Sequence, residues 1–368
     1  MASAAPRRAA LWLGVPGRYA HIGRRPALGI VLAVMLCCLL LAGVSPPENV
    51  GAAAGARDAI ELNQSITDAM RGGESYYPVT ARRLREAGLP LRPFTAFHLP
   101  TLNVLHAAVP ADLVRMAYWL VAGLAGFAWA YRLQAAFRAR LGLFTAMALL
   151  ASGLTLFTIS DLHLWPEAWA GTLIALSMAR WRPGRAVEAA GYATMALMIR
   201  ELAALYPIVM ALAALHDRDR REALVWGATL LVLAAVLGVH AAAVADVTGP
   251  VDPLRDDWLP LTGAAAAFDA FVQASPLRLA PAAIGFPLLL LVTIGWSEWQ
   301  DPLGVRVAAL AGLLLIVIAL FAPAGAVHWA AIATPVLLVG GAFLPDLIRD
   351  LARAILDMRR VRVHRVTR

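Results

Sequence analysis

The run ALGIVLAVMLCCLLLAGV (Ala27–Val44) decides the class of fold. It carries no charged side chain, and as an α-helix it is long enough to cross the hydrocarbon core of a bilayer. Similar apolar runs recur along the 368 residues, of which 60% are hydrophobic and 15% charged, whereas a soluble domain has about 25% charged residues. Because lipid offers backbone amides no hydrogen-bond partners, the sequence predicts an all-α, polytopic transmembrane helical bundle.

The formal net charge of +8 is concentrated at the two ends of the chain. Arginines crowd a leader, residues 1–26, and a tail, residues 346–368. Because Lys and Arg are enriched on the cytoplasmic side of membrane proteins, both termini are predicted to be cytoplasmic. This placement favours a role in topology and in contact with anionic membrane lipid, and no nucleic-acid partner is predicted.

Between these ends lies a predicted multi-span membrane domain, residues 27–345, with about ten crossings. It includes an external loop, residues 45–110, that is too polar to cross. With this arrangement every short arginine-rich loop falls inside. The predicted crossings are 27–44, 111–131, 141–160, 168–180, two short half-spans within 186–215, 223–245, 280–296, 305–321 and 330–344.

The two half-spans are inferred from the pair Arg200-Glu201, which interrupts an apolar run. Charge in the middle of a crossing is energetically expensive. A break at this pair places it near the external surface and leaves the charge-rich loop HDRDRRE (His216–Glu222) inside. The pair is then either a structural ion pair or a site where Arg200 grips a phosphate.

The external loop contains two amphipathic helical patterns. The first is ARDAIELNQSITDAMR (Ala56–Arg71) and the second begins at YYPVTARRLRE (Tyr76–Glu86). Gly72-Gly73 separates the two helices, and Gly88-Leu89-Pro90 ends the second. Such helices are predicted to lie along the membrane surface with their apolar faces down.

Two acids of this loop are candidates for a general base. Glu74 follows the glycine pair above an apolar surface, where burial is expected to raise its pKa into a useful range. Asp68 is the second candidate, because the flexible glycines allow it to fold back beside Glu74. Both acids are also compatible with helix caps or simple surface charges.

Further polar residues are predicted on the same face. Tyr76 and Tyr77 are either interface anchors or the lining of a sugar or lipid groove. The remaining candidates are Glu167 near a helix start, His328 in an outer turn, and Asp161 with His163 as ligands of a divalent ion. Two ligands alone do not define a metal site, and no other cofactor is predicted.

The stretch ESYYPVTARRLREAGLPLRPFTAFHLPTL (Glu74–Leu102) resembles the first external loop of glycosyltransferases of the C superfamily, such as the aminoarabinose and mannosyl transferases. Glu74-Ser75-Tyr76-Tyr77 is similar to the acidic and aromatic start of that loop, Ala87-Gly88-Leu89-Pro90 to its Gly/Pro element, and Phe97-His98-Leu99-Pro100 to its Lys-Pro-Pro-Leu element. The acid is Glu where Asp is usual, and His98 stands at the lysine position. A neutral imidazole does not hold a phosphate as a permanent cation does.

The resemblance implies a membrane glycosyltransferase on the outer face of a bacterial inner membrane. It would move a sugar from a polyprenyl-phosphate donor to a glycan, lipid or protein acceptor, with Glu74 or Asp68 as base. The predicted donor-binding residues are Arg200, His98, Tyr76, Tyr77 and His328, supported by Glu201 and Glu167. The alternatives are a transporter or flippase, which should line a path through the membrane with polar residues, and a non-catalytic subunit of an envelope glycan system.

Overall fold

The structure is a computed structural model that describes residues 10–46, 52–155, 164–255, 259–323 and 325–356. Within these ranges the regular secondary structure is helical, and β pairing is confined to isolated bridges. The helices are α1 (Arg24–Ala42), α2 (Ala52–Arg71), α3 (Tyr76–Glu86), α4 (Thr101–Ala108), α5 (Ala111–Ala136), α6 (Arg140–Thr155), α7 (Pro166–Arg180), α8 (Val187–Ile199), α9 (Leu205–His216), α10 (Arg220–Ala245), α11 (Gly263–Gln273), α12 (Ala282–Gly295), α13 (Pro302–Phe321), α14 (Val327–Ala330), α15 (Thr334–Leu337) and α16 (Leu344–Leu356).

The prediction of an all-α fold is confirmed, whereas ten full crossings are not found. Within the described residues, four helices are long and apolar enough to cross a membrane: α1, α5, α10 and α13. The apolar helices α6 and α8 and the segments 201–216 and 282–298 are shorter than a full crossing. Around these helices, large side chains such as Trp129, Trp226 and Trp296 are fully buried in one hydrophobic core.

The predicted helix break at Arg200 is confirmed. α8 ends at Ile199, Arg200 is extended with φ −145° and ψ 117°, and a 3-10 turn (Glu201–Ala204) leads into α9. The far ends of α8 and α9 lie at the same end of the bundle. Glu188, at the start of α8, pairs with Arg180. Asp217, just after α9, pairs with Arg306, and the Arg306 guanidinium stacks on Trp181, the residue next to Arg180. The chain therefore reverses direction at Arg200.

The predicted last crossing, residues 330–344, is wrong as a single helix. α14 and α15 are short helices, and they are followed by a 3-10 turn (Leu338–Phe343). This backbone passes so close to its neighbours that an added Cβ at Gly171 would collide with the Ala331 carbonyl, and one at Gly295 with the Gly340 carbonyl. Irregular backbone is tolerated at membrane depth where protein buries it, and residues 330–340 are buried.

The predicted helix ends in the polar segment after α1 are confirmed. α2 ends at Arg71 before the glycine pair, with Gly73 at φ +96°, and α3 ends at Glu86 before Gly88 at φ +66°. A second connection, residues 246–255, holds the segment in place: the Arg85 guanidinium binds both Asp252 carboxylate oxygens at 2.8 Å. The two polar connections therefore lie at the same end of the bundle.

Candidate functional site

The buried guanidinium of Arg200 lies at the centre of a charged cluster at this end of the bundle. Its Nε atom is 2.8 Å from Glu167 Oε1, and its Nη1 atom is 2.6 Å from Glu201 Oε1. Nη1 also contacts His98 Nδ1 at 2.5 Å. His328 Nε2 approaches Glu167 Oε1 at 4.0 Å. We call these five residues the Arg200 cluster.

The five members of the cluster come from four local settings. Glu167 follows Pro166 in the first turn of α7, where the helix dipole favours a carboxylate. Arg200 and Glu201 form the break between α8 and α9. His98 lies in the connection before α4, and His328 lies in the short helix α14. The cluster thus joins the first polar segment to three later parts of the chain.

The tyrosine pair positions His98. The Tyr76 hydroxyl donates to the His98 carbonyl at 2.8 Å, and Tyr76 is buried. The Tyr77 hydroxyl lies 3.1 Å from His240 Nδ1, and His240 Nε2 is 3.2 Å from the Phe97 carbonyl. Because a carbonyl only accepts, Nε2 carries the proton and Nδ1 accepts from Tyr77. Two consecutive carbonyls, those of Phe97 and His98, are therefore held by side chains.

The cluster sets one guanidinium against two carboxylates, so neutral imidazoles leave it with an excess of negative charge. Burial lowers the pKa of His328, with Glu167 opposing this effect and Arg200 adding to it. Three polar atoms in or beside the cluster are buried without a hydrogen bond: Glu201 Oε2, Trp165 Nε1 and Arg200 Nε, whose 2.8 Å approach to Glu167 is an ion pair without hydrogen-bond geometry. The Trp165 ring lies 6.0 Å from the His328 ring. The cluster can therefore take up a proton, a further donor or a further acceptor.

Glu74 and Asp68 have other partners. Glu74 is half exposed and pairs with Arg82 at 2.7 Å, and this hydrogen-bonded partner lowers the pKa of Glu74. The expectation of a raised pKa is therefore wrong, because an arginine on the next helix faces the carboxylate. Asp68 pairs with Arg71 at 3.0 Å and is mostly exposed. The glycine pair ends α2, and within the described residues the carboxylates of Asp68 and Glu74 bind different arginines.

The metal candidates Asp161 and His163 lie outside the described residues, as do Asp256 and Asp257 of the second polar connection. In the part of the chain that the structure describes, no group of three or more His, Cys, Asp or Glu side chains could hold a metal ion.

Sequence reasoning missed His240, which lies within the apolar run of α10. A histidine in such a run is a costly residue that signals a buried polar contact. It also missed the charged network at the opposite end of the bundle. There Arg306 binds Glu222 at 2.6 Å and Asp217 at 3.0 Å, and Trp181 Nε1 donates to Glu222 at 2.9 Å.

A small cavity lies beside α11, close to the Arg200 cluster but separate from it. Its walls include Thr262, the buried Asp269, Ile318 and Val327, the residue that precedes His328. The carboxylate of Asp269 on α11 therefore lines the same cavity as Val327, the chain neighbour of His328.

Taken together, the cluster offers a guanidinium for an anion, carboxylates for a proton and two imidazoles whose protonation sets the local charge. This combination suits the binding of a phosphate and the transfer of a proton. No protein-family model, curated protein or solved structure matches the chain.

Proposed function

We propose that this chain is a membrane glycosyltransferase that takes a sugar from a polyprenyl-phosphate donor and passes it to a glycan, lipid or protein acceptor. The observation that carries the proposal is the contact between His98 Nδ1 and Arg200 Nη1. His98 stands at the position where the resemblance expects a donor-binding lysine. The permanent cation that an imidazole lacks is present on its immediate neighbour, Arg200.

In this proposal the Arg200 cluster binds the phosphate of the donor at the outer face of the membrane. α1, α5, α10 and α13 cross fully, and the four shorter apolar helices enter the membrane beside them. The network around Arg306 then lies at the cytoplasmic end, together with both termini. The arginine-rich connections support this orientation, because they meet at the Arg306 end.

The base remains a choice between two kinds of acid. The resemblance assigns Glu74, whose carboxylate is engaged by Arg82. Glu201 is the acid of the cluster that keeps one buried oxygen without a hydrogen bond. A carboxylate with a free lone pair beside the phosphate site is placed to accept the acceptor's proton as the glycosidic bond forms and the lipid phosphate leaves.

The arrangement of charge favours a transferase over a transporter. A transport path needs polar groups through the middle of the membrane. Here the charged groups gather around Arg200 at one end and around Arg306 at the other. The helices that connect these ends bury mainly alanine, leucine and tryptophan.

Binding of lipid phosphate tests the proposal directly. The full chain in lipid nanodiscs is titrated with a long-chain polyprenyl phosphate and, separately, with the matching polyprenol. We expect the phosphate form to bind at least about tenfold more tightly, since charge-assisted hydrogen bonds contribute about 1.5–3 kcal/mol each. His98→Ala and Arg200→Lys should remove most of this difference, and Arg115→Ala, which changes an exposed arginine on α5, should preserve it.

Equal binding of both lipids by the wild-type chain would reject the phosphate site. Transfer is then measured as release of polyprenyl phosphate from a polyprenyl-phosphate-linked sugar. Passage of that lipid across sealed vesicles without release of polyprenyl phosphate would instead establish a flippase. Binding with neither release nor passage would establish a non-catalytic subunit.

A further inference from the structure

The segment 10–23, which precedes α1, is bonded to the end of the bundle opposite the Arg200 cluster. The backbone amides of residues 11, 12 and 13 donate to the Asp346 carboxylate at 2.5–3.1 Å. The Arg18 amide donates to the Glu298 carbonyl at 2.8 Å, and the Arg18 Nε atom donates to the Ser297 carbonyl at 3.0 Å. These contacts fix the segment to α16 and to the connection between α12 and α13.

Three carboxyl groups meet beneath this segment. Glu298 is fully buried, and neither carboxylate oxygen has a hydrogen bond of good geometry, although the backbone amide of Tyr19 lies close enough to act on the carboxylate as a donor. The carboxyl group of Asp350 lies within hydrogen-bond reach of Glu298, and Asp350 Oδ2 also lacks a donor. Asp346 lies close enough to act on Glu298 electrostatically. Arg349 pairs with Asp346 at 3.2 Å and with Asp350 at 2.6 Å, so its guanidinium compensates two of the three acids.

The segment seals the buried carboxyl group. Gly17 lies so close to Glu298 that an added Cβ would collide with the Oε1 atom. Water therefore has no room at this point, so apart from the Tyr19 backbone amide the orphaned oxygens of Glu298 and Asp350 depend on a donor from within the group. Two facing carboxylates cannot supply one unless one of them carries a proton.

The charged and titratable groups around Glu298 are few. α16 contributes Asp346, Arg349 and Asp350, and the N-terminal segment contributes Arg18 and Tyr19. α12 and the 338–343 turn have no titratable residue, and the single one of α13, Arg306, binds Asp217 and Glu222 instead. Burial first, and then Asp350 and Asp346, raise the pKa of Glu298 to about 8. Glu298 lies outside the four long candidate spans, in the 3-10 turn (Trp296–Glu298) that follows α12 at the end of the short apolar segment 282–298.

We propose that Glu298 and Asp350 share one proton, and that this proton-binding site latches segment 10–23 onto the bundle. When the segment lifts away, Glu298 becomes exposed and its proton passes to bulk water. Deprotonation of Glu298 in the latched state would place an unneutralised carboxylate beside two others. Loss of the proton therefore favours release of the segment.

The pH window follows from linkage. Glu298 titrates at about 8 when latched and near the ordinary value of 4.5 when exposed. The latched state therefore binds more protons between these values, and latching is strongest below about 4.5. It weakens by up to about tenfold per pH unit toward about 8 and levels off above that pH.

Hydrogen–deuterium exchange of the full chain in nanodiscs tests the latch. We expect protection of the amides of residues 11–13 and 18, corrected for intrinsic exchange, to fall across this window in the wild-type chain. In Glu298→Gln, whose side chain stays neutral, protection should be independent of pH. Glu188→Gln, which removes an exposed acid, should follow the wild type.

Infrared spectroscopy of the wild-type chain supplies a second measurement that needs no variant. A protonated carboxylic acid should be visible between about pH 4.5 and about pH 8. Asp350→Asn should move the upper limit of this window to lower pH. Three results would each overturn the proposal: amide protection in the wild type that does not change with pH, protection in Glu298→Gln that still changes with pH, and absence of the carboxylic acid signal. Added Mg²⁺ should change none of these measurements.

Discussion

Arg200 Nη1 contacts His98 Nδ1 although 102 residues separate them in the chain. The contact exists because the helix break at Arg200 and the connection before α4 meet at the same end of the bundle. It joins a permanent cation to an imidazole nitrogen, and the carboxylates of Glu167 and Glu201 pair with the same guanidinium. Charge at this site therefore depends on the protonation of imidazoles.

Binding of a polyprenyl phosphate should strengthen as pH falls. With neutral imidazoles the two carboxylates outnumber the guanidinium, and an anion is disfavoured. Burial lowers the pKa of His328, so its protonation lags behind that of an ordinary histidine, which titrates near about 6.5. We expect affinity measured in nanodiscs to rise as pH falls through and below this value, while the affinity for the matching polyprenol stays constant.

His328→Asn is the matched variant for this prediction. It keeps a polar side chain beside Glu167 and removes one titrating group. The rise in affinity at low pH should shrink in this variant. An affinity that rises equally for polyprenol would show that pH acts on the lipid environment rather than on the phosphate site.

Glu74→Gln should abolish sugar transfer and leave the fold intact, if Glu74 is the base. The side chain is exposed and its ion pair with Arg82 is at the surface, where such pairs add little to stability. The measurement is the rate of polyprenyl-phosphate release together with the thermal midpoint of the purified protein. The control is Glu86→Gln, because Glu86 is a neighbouring exposed acid that also pairs with an arginine of α3. Full activity of Glu74→Gln would pass the role of base to Glu201.

The sequence predicts those parts of the site where a residue would be energetically unfavourable in its immediate surroundings. Arg200-Glu201 interrupts an apolar run, and the energetic cost of charge inside a membrane crossing was enough to indicate the helix break. The glycines after Arg71 and Glu86 likewise indicated where α2 and α3 end. In each case a few neighbouring residues contain the physical reason.

The features that sequence missed depend on contacts between distant parts of the chain. Hydropathy cannot distinguish a span from the buried irregular path of residues 330–344, which exists because glycines on three helices make room for it. Glu74 meets Arg82 because the connection before α3 brings its carboxylate beside that helix, eight residues away in the chain. The hydrogen bonds of segment 10–23 could not be predicted from the arginine-rich leader alone, because their partners, Glu298 and Asp346, lie near the other end of the sequence.

The network around Arg306 should contribute strongly to stability. Arg306 and Glu222 are both buried, and Arg306→Met would leave the Glu222 carboxylate without its guanidinium. We expect a loss of about 3–5 kcal/mol in the free energy of unfolding, since breaking a buried pair leaves an uncompensated charge. The measurement is the midpoint of denaturant unfolding in detergent.

The double variant Arg306→Met, Glu222→Gln removes both charges and should be more stable than the single variant. The exposed pair Arg180 and Glu188 provides the comparison, and Arg180→Met should change stability little. Equal losses at the two pairs would contradict the assignment of the Arg306 network as buried.

Two glycine substitutions test the close packing that replaces the predicted last span. In Gly171→Ala the new methyl group would collide with the Ala331 carbonyl, whereas in Gly191→Ala it meets no atom within 4 Å. Both glycines lie inside helices, α7 and α8, so the gain in helix propensity of about 0.5–1 kcal/mol is shared. Gly171→Ala should therefore destabilise by about 1–3 kcal/mol through overpacking, and Gly191→Ala should be neutral or stabilising. The measurement is the thermal midpoint of each purified variant, compared with that of the wild type. A midpoint of Gly171→Ala at or above that of Gly191→Ala would contradict the path of residues 330–344 described above.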